Sequence, residues 1–201
     1  MRICVFLTLC IIVMISGGCY KVYYNSQPSV LDVSFQQQQK IPLRAGLYMP
    51  EDFRNYTHEW KVEFGKHVFP LGEMLQDGSK KMIAAAFREM VVLASPDEAK
   101  AQGVNIVITP RVESAEYVYE TKFKGPPISM VIIKWTALDQ EGNILWADTF
   151  EGKGQDEVVD RRKQVNKYGI AVDNLGLAIE DSLNKAYEAL MELGTSILAA
   201  T

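Results

Sequence analysis

The sequence predicts an α+β domain: an antiparallel or mixed sheet of about four to five strands, with two long amphipathic helices packed on one face. Three observations lead to it. Apolar residues recur at three- and four-residue steps over 71–93, and again from Asp173 or Asn174 to Leu193. Between these helices, 112–123, 130–138 and 144–150 alternate apolar and polar residues, as half-buried strands do. Strands that run together, with helices before and after them, mark α+β rather than a repeating βα unit. The expected organisation is an export signal over 1–18, a tether over 19–40 and a single domain over 41–201.

The stretch 41–49 alternates well enough for a first strand, and Pro42 stands near its start, where a missing N–H is tolerated. Pro50-Glu51-Asp52-Phe53 predicts a short helical turn, because proline suits the first helical position and carboxylates its positive end. A second strand is expected over 60–69, from Trp60, Val62, Phe64, Val68 and Phe69, with the slip at Gly65 read as a bulge. The first long helix then presents Leu71, Leu75, Ser79, Met82, Ile83, Ala86, Phe87, Met90 and Val91 on one face. That stripe reads as core and not as a cofactor slot.

Ser95-Pro96-Asp97-Glu98 is a capping box, with serine at the cap and glutamate three residues on, and Gly103 closes the two-turn helix it opens. An apolar run over 104–108, broken only by Asn105, predicts a strand covered on both faces, interrupted by Pro110. The strand 112–123 places Tyr117 and Tyr119 on one side, and Gly125-Pro126-Pro127 turns the chain. Next, 130–138 and 144–150 form a hairpin around Asp139-Gln140-Glu141-Gly142-Asn143, where aspartate starts a type I turn and glycine supplies the positive φ. Trp135 and Trp146 fall on its two arms and are expected to meet across it. The polar stretch 151–168 reads as a mobile connection. The last helix, about 30 Å long, turns Leu175, Ala178, Ile179, Ser182, Leu183, Ala186, Leu190 and Leu193 to one side and is expected to stop at Gly194.

The first nineteen residues set the address. Arg2 gives a positive start, residues 3–15 are apolar apart from Thr8, and Ser16-Gly17-Gly18 are small. A positive start, a short apolar core and a small-residue exit describe an export signal. The apolar run is shorter than the roughly 20 residues that span a bilayer. With Cys19 directly after the small residues, the stretch resembles a bacterial lipoprotein signal; the alternative is an ordinary secretory signal ending near a cysteine. The resemblance implies that Cys19 becomes the first mature residue and carries acyl chains. Each buried methylene contributes ~0.8 kcal/mol, and two or more chains anchor firmly. Tyr20, not aspartate, follows the cysteine, which resembles outer-membrane sorting in Gram-negative bacteria. A polar tether of about 20 residues would hold the domain a few tens of ångströms from the bilayer, and the apolar Val30, Leu31, Val33 and Phe35 leave open that part of it adds a strand to a sheet edge.

Composition agrees. The three cysteines are Cys4, Cys10 and Cys19, so a chain processed before Cys19 has neither a disulfide framework nor a thiolate metal site. The net charge is −4, and loss of Arg2 makes it one unit more negative. Nothing basic clusters enough to engage nucleic acid.

The Cys19 signal, the hairpin from Lys134 to Trp146 and the closing helix together resemble a broad set of envelope lipoproteins. It includes the amino-terminal domain of the TolB periplasmic protein, the auxiliary lipoproteins of ABC transporters, the curli secretion-channel lipoprotein, the lipoprotein activators of peptidoglycan synthases and the small lipoprotein of the lipopolysaccharide translocon. The likeness implies a fold and a location without selecting a member.

No catalytic set is legible, and an enzyme, a cofactor and a bound metal are not expected. His58 and His67 stand nine apart, which is not the helical pair of a zinc site, and read as surface or turn residues. There is no Gly-x-Ser-x-Gly elbow and no phosphate-cradling loop. Glu113, Glu116 and Glu120 read as solvent-facing acids rather than a glycosidase pair. Two functions remain. One is a lipid-tethered periplasmic accessory that binds an envelope assembly or transport machine. The other is a carrier that holds a lipid or cell-wall fragment in an apolar pocket. Tyr117, Tyr119, Trp135 and Trp146 are the candidate interaction or ligand face.

Overall fold

The structure is a computed structural model and describes residues 20–23, 33, 35, 39–62, 65–118, 128–155 and 167–199. Its strands are β1 (Tyr20–Tyr23), β2 (Ile41–Tyr48), β3 (Thr57–Val62), β4 (Gly65–Pro70), β5 (Phe87–Leu93), β6 (Ile106–Val118), β7 (Ile128–Leu138) and β8 (Ile144–Gly154). Its helices are α1 (Glu51–Arg54), α2 (Gly72–Ala86) and α3 (Lys167–Ala199), with a 3-10 turn at Pro96–Glu98. The α+β class holds. A five-stranded sheet has the order β5-β2-β6-β7-β8, and a small sheet has the order β1-β4-β3.

The large sheet is mixed. β2 pairs parallel with both β5 and β6, while β6, β7 and β8 are antiparallel neighbours. The parallel half arises because the helix expected over 71–93 ends at Ala86, and Phe87 continues directly as β5. Phe87, Met90 and Val91 keep the helical spacing, yet β-branched Val91 and Val92 lie opposite Gly46 and Leu47 of β2. Tertiary pairing overrides the periodicity there. The single strand expected over 60–69 is likewise two strands, paired antiparallel from Val62↔Gly65 to Thr57↔Pro70. β1 lies parallel to β4, and Val33 is buried.

Pro110 does not end a strand. It sits inside β6 opposite Trp135, beyond Ile108, the last β6 residue paired with β2. A missing N–H on that side breaks no ladder bond. β8 also runs further than expected, to Gly154. The turn at Gly125-Pro126-Pro127 and most of the connection after β8 lie outside the described residues.

α2 and α3 meet each other and share one core with the sheet. Leu75, Met82, Ile83 and Ala86 of α2 are buried there with Leu175, Ile179, Leu183, Ala186 and Leu190 of α3. α3 starts earlier and ends later than the periodicity indicated, and at 33 residues it is about 50 Å long. Asn174 is therefore inside the helix and buried, not a cap. Gly194 does not stop it: a Cβ there would strike the side chain of Ile41, so glycine serves a close approach to β2.

On the opposite sheet face, Leu93, Ala99, Val104 and Val107 form a second, smaller cluster. The segment between β5 and β6 covers them. Ser95 Oγ accepts from the Asp97 N–H at 3.3 Å, and the Glu98 carboxylate accepts from the Ala94 N–H at 3.1 Å. The box thus caps a 3-10 turn, and Gly103 leaves it with φ +63°. The hairpin turn is as expected. Asp139 Oδ1 accepts from the Glu141 and Asn143 N–H groups, Asn143 Nδ2 donates to Oδ2, and Gly142 takes φ +84°.

Candidate functional site

Of the four aromatic residues singled out from sequence, Tyr117, Trp135 and Trp146 lie among the described residues. β7 buries every second residue, and Trp135 on that series is fully enclosed on the helix-covered face. Its indole Nε1 has no hydrogen-bond partner among the described residues. Trp146 shares the face but pairs with Ala137, while Trp135 pairs with Asp148. The two tryptophans are thus offset by two residues along the ladder, and the ring beside Trp146 is Phe150, at 6.0 Å. Tyr117 is buried. Tyr119 and Cys19 lie outside the described residues.

Tyr117 marks a junction that the sequence reading missed. The Trp60 ring of β3 meets it edge-on at 4.9 Å and lies 5.6 Å from His67 of β4. His58 stacks over Phe69 at 6.1 Å. Alternation along β3 and β4 turns these residues inward and seats the small sheet against the end of β6. Both histidines are corrected here: His67 is buried and His58 half-buried, neither at a turn. Burial lowers the pKa of each; for His58 the nearby Glu116 carboxylate opposes the shift without cancelling it. Neutral imidazoles are therefore favoured at neutral pH. They could act as packing groups or proton acceptors, but no cluster of three or more metal donors exists among the described residues.

A sheet edge lies at the other end of the large sheet. β8 is the edge strand, and its helix-facing side is closed by α3. Ser182 Oγ donates to the Phe150 carbonyl at 2.9 Å, Lys185 Nζ donates to the Glu151 carbonyl at 2.8 Å, and the Lys153 N–H donates to Asp181 at 2.9 Å. At its start, beside the hairpin turn, Ile144 is 68% and Leu145 46% exposed. An edge strand braced over 150–153 by a helix and tipped with exposed aliphatics can accept another strand along its earlier part, beside Ile144 and Leu145. Sequence showed the strand, but not that it is an edge of the sheet among the described residues.

Fold and surface thus define an α+β domain built on a five-stranded mixed sheet. The same fold occurs in the crystal structure of protein XCC0632 from Xanthomonas campestris, described with the family DUF330. The two superpose with a TM-score of 0.58 at 9% identity, over 90% of this chain and 99% of that one. Weaker likenesses are to a PelC dodecamer from Paraburkholderia phytofirmans (TM-score 0.46, 13% identity, 76% of this chain and 90% of that one) and to a putative lipoprotein from Caulobacter crescentus (0.41, 12%, 65% and 85%). At those scores nothing is concluded from the last two. No protein-family model and no curated protein matches the chain. Among the described residues no helix is long and apolar enough to cross a membrane.

Proposed function

We propose that this chain is a lipid-anchored accessory protein of the bacterial envelope. Acyl chains on Cys19 hold it at the outer membrane, facing the periplasm, and it supports an envelope assembly or transport machine. This reading groups it with the TolB amino-terminal-domain-like and transport-auxiliary-like lipoproteins. The anchor is supported by the apolar run 3–15 and the small residues before Cys19. The binding role is carried by one observation, the edge position of β8 among the described residues, with Ile144 and Leu145 exposed at its tip. Strand addition supplies main-chain hydrogen bonds, and the two aliphatics supply contacts that select the partner.

The test has two parts. Mass spectrometry of the mature amino terminus should find an acylated Cys19, and Cys19→Ala should move the protein from the membrane to the soluble fraction. A photo-crosslinking residue in place of Leu145 should trap one envelope protein in intact cells, whereas one in place of Lys185 on α3 should not. An unmodified amino terminus sinks the anchor. No specific adduct from position 145 sinks the docking edge.

A further inference from the structure

A groove of about 350 Å³ lies far from β8, where α1, α2 and the end of β5 meet; Met49, Arg54, Gln76, Lys80, Val92, Leu93 and Ala94 line it. Its position follows from the topology. Met49 ends β2 and Val92-Leu93-Ala94 end β5, two parallel neighbours. The chain leaving β2 passes through α2, in the core shared with the sheet's helix-covered face. The chain leaving β5 covers the Leu93–Val104 cluster on the opposite face. Adjacent parallel strands whose connections depart to opposite faces open a crevice at their carboxyl ends, the usual place for a ligand in such sheets.

The lining gives the chemistry. Arg54 and Lys80 are exposed, and neither has a carboxylate within ion-pair distance among the described residues. No acidic side chain lines the groove. Gln76 is held in place by donating from Nε2 to the Arg54 carbonyl at 3.1 Å, which leaves its amide oxygen as an acceptor. Beneath these polar groups Val92 is 49% exposed, an unusual state for a strand valine, with Met49 and Leu93 beside it. Two uncompensated cations above an apolar floor match an organic anion that carries an apolar substituent. We infer that this groove binds such a ligand, a phosphate or carboxylate head between Arg54 and Lys80 with an alkyl part over Val92 and Met49. The site does not depend on the anchor or on the β8 edge.

Full-length acylated protein in phosphatidylcholine nanodiscs, with labelled Val and Leu methyls, would be titrated with hexyl phosphate, inorganic phosphate and hexanol. Hexyl phosphate should shift the Val92 and Leu93 methyl resonances saturably. Inorganic phosphate and hexanol should each bind at least about tenfold more weakly, because each satisfies only half of the groove. Arg54→Gln with Lys80→Gln should cost about tenfold or more in affinity at unchanged melting temperature, and Lys80→Gln alone, on an exposed helix face, provides a variant safe for folding. Nanodiscs containing phosphatidylglycerol separate the sources. Methyl shifts without added ligand identify a lipid headgroup as the anion, and shifts only with hexyl phosphate identify a free one. Absence of a saturable Val92 shift, or affinity unaltered in both charge variants, overturns the site.

Discussion

Gly154 of β8 lies against the carbonyl of Asn174 in α3, so close that no Cβ fits between them, and Gly152 stands in the same relation to Ala178. The strand thus gives up two side chains to let the helix backbone settle on it, and the cross-links from Ser182, Lys185 and Asp181 follow. Because the obstructing atoms are backbone, relief by side-chain rotation is not available. Gly152→Ala or Gly154→Ala should destabilise the fold by about 3 kcal/mol, the upper range for overpacking. For a chain of this size that lowers the melting temperature by roughly 6–12 °C. Thermal unfolding followed by circular dichroism checks it; an unchanged midpoint would mean that the helix stands off the strand.

Trp60 of the small sheet and Tyr117 of the large one meet in an edge-on ring contact at 4.9 Å. Such pairs contribute ~0.5–1.5 kcal/mol beyond their buried area. A double-mutant cycle with Trp60→Leu and Tyr117→Leu should therefore give a coupling energy near ~1 kcal/mol. Tyr117→Leu should also change the fluorescence of Trp60, measured in a Trp146→Phe background to remove the other partly exposed indole. A coupling near zero would show that the two sheets are held together by other contacts.

Trp135 is the largest side chain at the centre of the sheet and is fully enclosed. Its removal leaves a cavity among β6, β7 and α3 that rigid neighbours cannot fill. Trp135→Ala should cost about 3–5 kcal/mol. Trp135→Phe should cost less, since the indole N–H it discards has no hydrogen-bond partner among the described residues. Denaturant titration of the three proteins orders them, and equal losses for the two variants would contradict the unpartnered indole.

These residues also show what was legible in sequence. Asp139, Gly142 and the alternating arms around them are local signals, so the β7–β8 hairpin could be read directly. The buried faces of α2 and α3 were legible for the same reason, as a 3.6-residue period survives without knowledge of the partner. The change from Ala86 to Phe87 was not, because no glycine or proline marks it and its cause is pairing with β2, some forty residues earlier. Gly65 and Gly194 misled in opposite ways. One begins a second strand where a single strand seemed to run on, and the other lies within a helix that seemed to end, because a glycine signals freedom or close approach without saying which. Among the candidate aromatics, alternation placed Trp135 on a face but could not say which face α3 covers. The open edge of β8 and the groove beside Val92 depend on strand order, which no local pattern encodes.

His58 packs over Phe69 and His67 against Trp60, each with its pKa lowered chiefly by burial. A histidine depressed below its unfolded value of about 6.5 binds fewer protons folded than unfolded, so stability rises with pH through that window. The contribution is complete above the unfolded value and is lost as pH falls toward the folded one, where protonation must put a charge into the aromatic junction. Asp139 adds a second, more acidic limb. Its pKa is lowered first by the Asn143 side-chain hydrogen bond and also by backbone N–H groups, so its contribution is present above the ordinary carboxylate range and disappears below it. Melting temperature should therefore fall in two steps on acidification. Replacing both His58 and His67 with Asn should flatten the step between pH 7 and pH 5, and Asp139→Asn should flatten only the lower one. A single step that persists in the double histidine variant would place the near-neutral pH sensitivity elsewhere.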